Sequence, residues 1–162
     1  MHDSALTIRP LANAAEARYC ADFMAASEPW VTLGLSSEQA MQRLTNPARE
    51  VLVATASEQI VGVMILDLTG MLNGYIQILA VHPDWRSRRI GTQLIAWAEQ
   101  RIFCQSPNVF LCVSSFNDGA KRFYARLGYK TIGELPDFLK QGYSEILMRK
   151  THGGWLDFKP QA

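Results

Sequence analysis

The 162-residue sequence predicts a single α+β domain, in which one mixed, mostly antiparallel sheet of about seven strands carries about four helices. Three observations support this. Short β-branched or alternating runs recur along the chain. Residues 90–103 and 117–127 show the 3.6-residue apolar period of helices. An initial meander then gives way to a strand–helix–strand unit, whose crossover requires parallel pairing.

In chain order, Ala5-Leu-Thr-Ile-Arg9 alternates as a strand and stops at Pro10, after which Asn13 caps a helix running through Glu16, Tyr19 and Phe23. Ser27-Glu-Pro-Trp30 breaks that helix. A second begins with Ser36 or Ser37 as cap, turns Ala40, Met41 and Leu44 inward and ends at Asn46-Pro47. Residues 51–56 and 59–68 read as a hairpin around Ser57-Glu58, and residues 72–81 as the third strand of the meander. Ile90, Leu94, Trp97, Ala98 and Ile102 form the inner stripe of the long helix, and residues 109–113 a short apolar strand. In the helix over 117–127, Ala120, Phe123, Tyr124 and Leu127 are the inner positions and Gly128 ends it. Residues 129–133 and 142–148 close the sheet. The domain covers residues 1–150, and residues 151–162 form a tail that packs back on it or on a second copy of the chain, a homodimer.

Composition narrows the function. A net charge of +1 argues against a nucleic-acid binder, so any anion site must be local. The three cysteines, Cys20, Cys104 and Cys112, contain no C-x-x-C pair and suit a reducing compartment. His2, His82 and His152 are scattered, and no metal is expected. The N-terminal residues lack a signal-like pattern, and the longest apolar run, 60–66, is too short to span a bilayer. A cytoplasmic protein without a membrane segment is expected.

Residues 78–92, Ile-Leu-Ala-Val-His-Pro-Asp-Trp-Arg-Ser-Arg-Arg-Ile-Gly-Thr, run from a strand through a basic turn into an amphipathic helix. The first-turn N–H groups of a helix lack intrahelical partners and lie at the positive end of its dipole, so a diphosphate can bind there. Ser87, Ile90, Gly91 and Thr92 supply main chain at that turn, and Arg86, Arg88 and Arg89 supply guanidinium groups.

This segment resembles the GCN5-related N-acetyltransferases, whose Val-His-Pro-x-x-Arg strand end leads into an Arg/Gln-x-x-Gly-x-Gly/Ala turn. Arg86, Ile90 and Gly91 fit that turn, whereas Arg89 stands where the family usually has its first glycine. An α-region backbone that swings the side chain outward is expected at Arg89. Residues 113–129 are similar to the family's Asn-x-x-Ala-x-x-Phe-Tyr-x-x-Leu-Gly-Tyr segment, and the likeness spans residues 5–150.

The resemblance implies that the sheet splays between strands 72–82 and 108–114, and that acetyl-CoA is the co-substrate and an amine the acceptor. It places the main chain of Leu79, Ala80 and Val81 near the thioester carbonyl and pantetheine, Asn117 and Phe123 on the cofactor, and Tyr124 as general acid to the leaving thiolate. The family's usual carboxylate is missing from the strand before the turn, where Tyr75 and Gln77 occupy the outward positions. A water relay, Glu28, Asp137, Glu145 and His82 all stay open as the base. Trp30, Phe138 and Tyr143 are candidates for an aromatic acceptor wall, with core packing an equal alternative. Cys112, within an apolar strand, is not expected to be a nucleophile. The rival readings are a non-catalytic acyl-CoA sensor and a nucleic-acid module built on the arginines.

Overall fold

The computed structural model describes residues 6–160, so Ala5, Gln161 and Ala162 lie outside the described residues. The chain divides into two compact units, Met1–Asp67 with Gln77–Ala98 and Leu68–Ile76 with Glu99–Ala162. One seven-stranded sheet has the order β1-β2-β3-β4-β5-β7-β6.

The first unit holds β1 (Thr7–Pro10), α1 (Ala14–Ala25), α2 (Trp30–Leu33), α3 (Ser37–Leu44), β2 (Glu50–Ala56) and β3 (Gln59–Asp67). It also takes most of β4 (Tyr75–Val81) and the first part of α4 (Ile90–Phe103). Helix α1 starts where Asn13 accepts a hydrogen bond from the Glu16 N–H at 3.0 Å, and α3 starts at a capping box between Ser36 and Gln39. The hairpin turn at Ser57 and Glu58 has positive φ at both residues, 49° and 64°, matching the twist of the antiparallel strands β2 and β3. Phe23, Met24, Leu44, Val53, Val63 and Ile78 anchor the core cluster of this unit, each such burial contributing about 1.5–3 kcal/mol.

The second unit holds β5 (Asn108–Ser114), α5 (Asp118–Arg126), β6 (Lys130–Pro136) and β7 (Ser144–Thr151). Strand β7 pairs antiparallel with both β5 and β6. The start of β4 pairs in parallel with β5, Tyr75 opposite Phe110 and Ile76 opposite Leu111.

Several expected boundaries shift, among them the last two strands, which become Lys130–Pro136 and Ser144–Thr151, and three differences have a clear local cause. The strand expected over 72–81 begins at Tyr75, because Gly74 has φ +95° and a Cβ there would lie 2.4 Å from the Asn108 carbonyl oxygen. Five α-helices are found among the described residues rather than about four: Trp30–Leu33 forms an extra turn, closed by Gly34 at φ 71°. Tyr129 is not in a strand; it is buried, and its N–H donates to the Tyr124 carbonyl at the end of α5. In the tail, the His152 ring stacks on Phe103 at 3.7 Å, while Leu156 is fully exposed.

Candidate active site

In the first unit, β4 delivers the chain into the basic turn. The His82 N–H donates to the Val61 carbonyl at 2.8 Å, and its Nδ1 accepts from the Asp84 N–H at 3.3 Å. The His82 ring also packs on Tyr19 and Phe23, so this candidate base is held in a structural cluster. After a short 3₁₀ turn at Pro83–Trp85, Arg86, Ser87, Arg88 and Arg89 are all exposed. Arg88 lies over the Trp85 ring at 4.6 Å. None of the three guanidinium groups pairs with a carboxylate among the described residues.

The Arg89 carbonyl accepts from the Gln93 N–H at 3.1 Å, which makes it the last residue before α4. Its φ is +60°, and Ser87 has φ +62°. The α-region backbone expected at Arg89 is therefore wrong: the position keeps the left-handed conformation that suits glycine and holds an arginine in it, at a cost of about 1–2 kcal/mol. Ile90 is buried, Gly91 is partly exposed and Thr92 is exposed in the first turn. Ala80 is buried, with Leu79 and Val81 half-buried on either side of it in β4. Gln77 is half-buried on the same strand, and Trp30 packs against the core cluster.

In the second unit, Asn117 caps α5, its Oδ1 accepting from the Ala120 N–H at 3.1 Å. Its amide NH₂ makes no hydrogen bond to the described residues and can donate to a ligand. Phe123 is half-buried and stands edge-on to Tyr124 at 5.0 Å. Two tyrosines follow, both buried. Tyr129 donates its hydroxyl to Glu99 at 3.0 Å, whereas no described residue hydrogen-bonds the Tyr124 hydroxyl. Burial pushes the Tyr124 phenol well above its ordinary range, so it keeps its proton at neutral pH.

A polar strip runs along one face of β5 and β7 in the same unit. Ser114 lies opposite Glu145 and donates its hydroxyl to Glu145 Oε1 at 2.7 Å. Two residues along from Ser114 and from Glu145, Phe116 meets Tyr143 edge-on at 5.4 Å, and Lys140 Nζ lies 5.7 Å from the Tyr143 ring centre. At the other end, Tyr75 hydrogen-bonds Cys112. Burial raises the Cys112 thiol first, with the Glu145 charge raising it further and Tyr75 opposing, so Cys112 is not an activated thiolate. Burial likewise raises the Glu145 carboxyl, and the Ser114 hydrogen bond offsets part of that.

The other base candidates have ordinary structural roles. Glu28 accepts from the Thr32 N–H and hydroxyl, and Asp137 accepts from the Gly142 N–H at 2.6 Å. Phe138 is more than half exposed. Tyr143 and Glu145 are separate candidates in the sequence, and Ser114 and Phe116 are not among its candidates. The two-residue spacing of Ser114 with Phe116 and of Tyr143 with Glu145 was the available signal. Among the described residues no helix is long and apolar enough to cross a membrane, and no group of three or more His, Cys, Asp or Glu could hold a metal ion.

The family model described as "Acetyltransferase (GNAT) domain" matches residues 21–152. The chain belongs to the GNAT acetyltransferase family. The match covers the basic turn, α4, β5 and α5, the segments whose geometry is given above. An uncharacterized N-acetyltransferase of Methanocaldococcus jannaschii is 36% identical over 60% of this chain and 64% of its own length. The aminoalkylphosphonate N-acetyltransferase of Salmonella typhimurium is 35% identical over 54% of this chain and 60% of its own. The chain thus spans about three fifths of the length of the curated relatives it matches. The crystal structure of an aminoglycoside 6′-N-acetyltransferase complexed with coenzyme A superposes with a TM-score of 0.73, covering 96% of this chain and 99% of that one at 20% identity, which shows the shared fold.

Proposed function

We propose that this GNAT protein transfers an acetyl group from acetyl-CoA to a primary amine by direct attack, without an acyl-enzyme. The observation that carries the reading is the turn before α4: three exposed arginines, without carboxylate partners among the described residues, lead directly into a helix N-terminus, the chemistry a diphosphate requires. An ordinary capped helix start does not explain why Arg89 occupies a left-handed conformation there.

Acetyl-CoA supplies an activated thioester carbonyl. Arg86, Arg88 and Arg89 hold its phosphates, and the main chain of Leu79, Ala80 and Val81 polarises the carbonyl oxygen. Tyr124 donates a proton to the departing thiolate from a hydroxyl that no described residue occupies. Cys112, its thiol raised by burial, does not serve as a nucleophile, which favours direct attack. The amine is a small-molecule or peptide group, and the free cysteines are consistent with work in the cytoplasm.

Thiol release from acetyl-CoA with an amine panel that includes aminoalkylphosphonates and aminoglycosides tests this. Tyr124→Phe is expected to lower kcat/KM about 100-fold with acetyl-CoA affinity unchanged. Coenzyme A binding without turnover of any amine would instead favour an acyl-CoA sensor.

A further inference from the structure

Glu145 is 3% exposed, and Ser114, also 3% exposed, is its hydrogen-bond partner. Among the described residues no Lys, Arg or His lies within ion-pair distance of it. A buried carboxylate held by one neutral hydroxyl is costly unless a cation completes it. Its surroundings suit one kind of cation. Tyr143 and Phe116, packed edge-to-face on each other, lie two residues along from Glu145 and Ser114, and Cys112, with Tyr75 at its thiol, lies two residues from Ser114 on the other side. Carboxylate beside aromatic rings is the chemistry that binds an alkylammonium group.

We propose that Glu145 is the carboxylate that receives the ammonium group of the acceptor and takes its proton before transfer. This rests on the acetyltransferase reading above. The acceptor enters as R–NH₃⁺, and one proton passes to the Glu145 carboxylate. The freed lone pair forms the C–N bond to the thioester carbonyl. As the C–S bond breaks, the second proton leaves nitrogen, the thiolate is protonated to the thiol, and Glu145 returns its proton to solvent. The products are the amide, coenzyme A and one proton. An alkylammonium with a pKa of about 10.4 needs such an acceptor, and the strand before the basic turn supplies none, carrying Tyr75 and Gln77. The other groups facing the strip are the Cys112 thiol and the Tyr75 and Tyr143 phenols. Lys140 lies beyond the Tyr143 ring, Arg149 is further along the same face of β7, and β6 contributes the apolar Leu135 opposite Glu145.

The test combines turnover with direct observation of the carboxyl group. Wild type, Glu145→Gln and Ser114→Ala are compared for acetyl-CoA affinity, for the pH profile of kcat/KM with the amine panel, and for the Glu145 carboxyl ¹³C resonance, assigned by its absence from Glu145→Gln. The proposal expects Glu145→Gln to lose about 100-fold or more in kcat/KM at unchanged acetyl-CoA affinity. Ser114→Ala should move the acidic limb of the profile to higher pH by about 1 unit, since the hydroxyl that favours the charged form is gone. Turnover by Glu145→Gln within threefold of wild type overturns the proposal and leaves the acetyltransferase reading standing. If wild type turns over no amine but the Glu145 resonance responds to an amine of the panel, the ammonium site stands and the transfer reading fails. No turnover and no response overturns both.

Discussion

At the scale of single residues, Arg89 and Glu145, both in the candidate site, each carry a local cost. Arg89 sits at φ +60°. Arg89→Gly should stabilise the protein by about 1 kcal/mol, the relieved strain exceeding the added freedom of the unfolded chain; a denaturant midpoint that falls instead would contradict strain at this residue. Glu145 has its carboxyl raised by burial. The folded state therefore binds that proton more tightly than the unfolded chain. Its contribution to stability is favourable below the ordinary carboxylate pKa and is lost as pH rises through the folded value. Glu145→Gln should accordingly raise Tm more at pH 8 than at pH 4, about 2–4 °C per kcal/mol for a chain of this size. Thermal unfolding at the two pH values checks this.

Secondary elements are fixed by a few close approaches. Gly74 precedes β4 where a Cβ would meet the Asn108 carbonyl oxygen at 2.4 Å and Ile102 Cγ2 at 2.7 Å, and its φ is +95°. Gly74→Ala combines overpacking with a left-handed alanine and should cost about 3 kcal/mol, read as a lower urea midpoint at unchanged slope. Strand β1 is tied to α1 by Arg9, whose guanidinium donates to Glu16 at 2.7 and 3.0 Å while the Ala12 N–H donates to the same carboxylate. The Arg9 hydrogen bond holds the Glu16 carboxyl below its ordinary value. The stability this adds is present above the unfolded carboxylate pKa and fades as pH falls through the lower folded one. Glu16→Gln should destabilise by about 1 kcal/mol at pH 7 and by less at pH 3, as paired melting curves would report.

At the scale of the whole molecule, a net charge of +1 coexists with a turn of three arginines that pair with no carboxylate among the described residues, so affinity for a phosphate ligand is a local property. The family match ends at residue 152, and beyond it Trp155 is half exposed and Leu156 fully exposed. Removing residues 155–162 should leave Tm within about 2 °C, as expected for exposed groups. A larger fall in dilute protein would show that the tail contributes to stability beyond the Trp155–Phe158 pair.

Much was legible in the sequence because the signals are local. The cap Asn13, the cap at Ser36 or Ser37, the hairpin at Ser57-Glu58, the limits Ile90–Phe103 and the GNAT pattern all depend on residues within a few positions of each other. What the sequence could not supply depends on long-range approach. The start of β4 is set by Gly74 against Asn108, and the conformation of Arg89 by the turn that β4 and α4 impose. The pairing of Ser114 with Glu145, thirty-one residues apart, follows from the register of β5 on β7. Each amino-acid type was readable along the chain. Whether the Glu145 carboxylate faced water or a buried hydroxyl was decided only by the strands that folded around it.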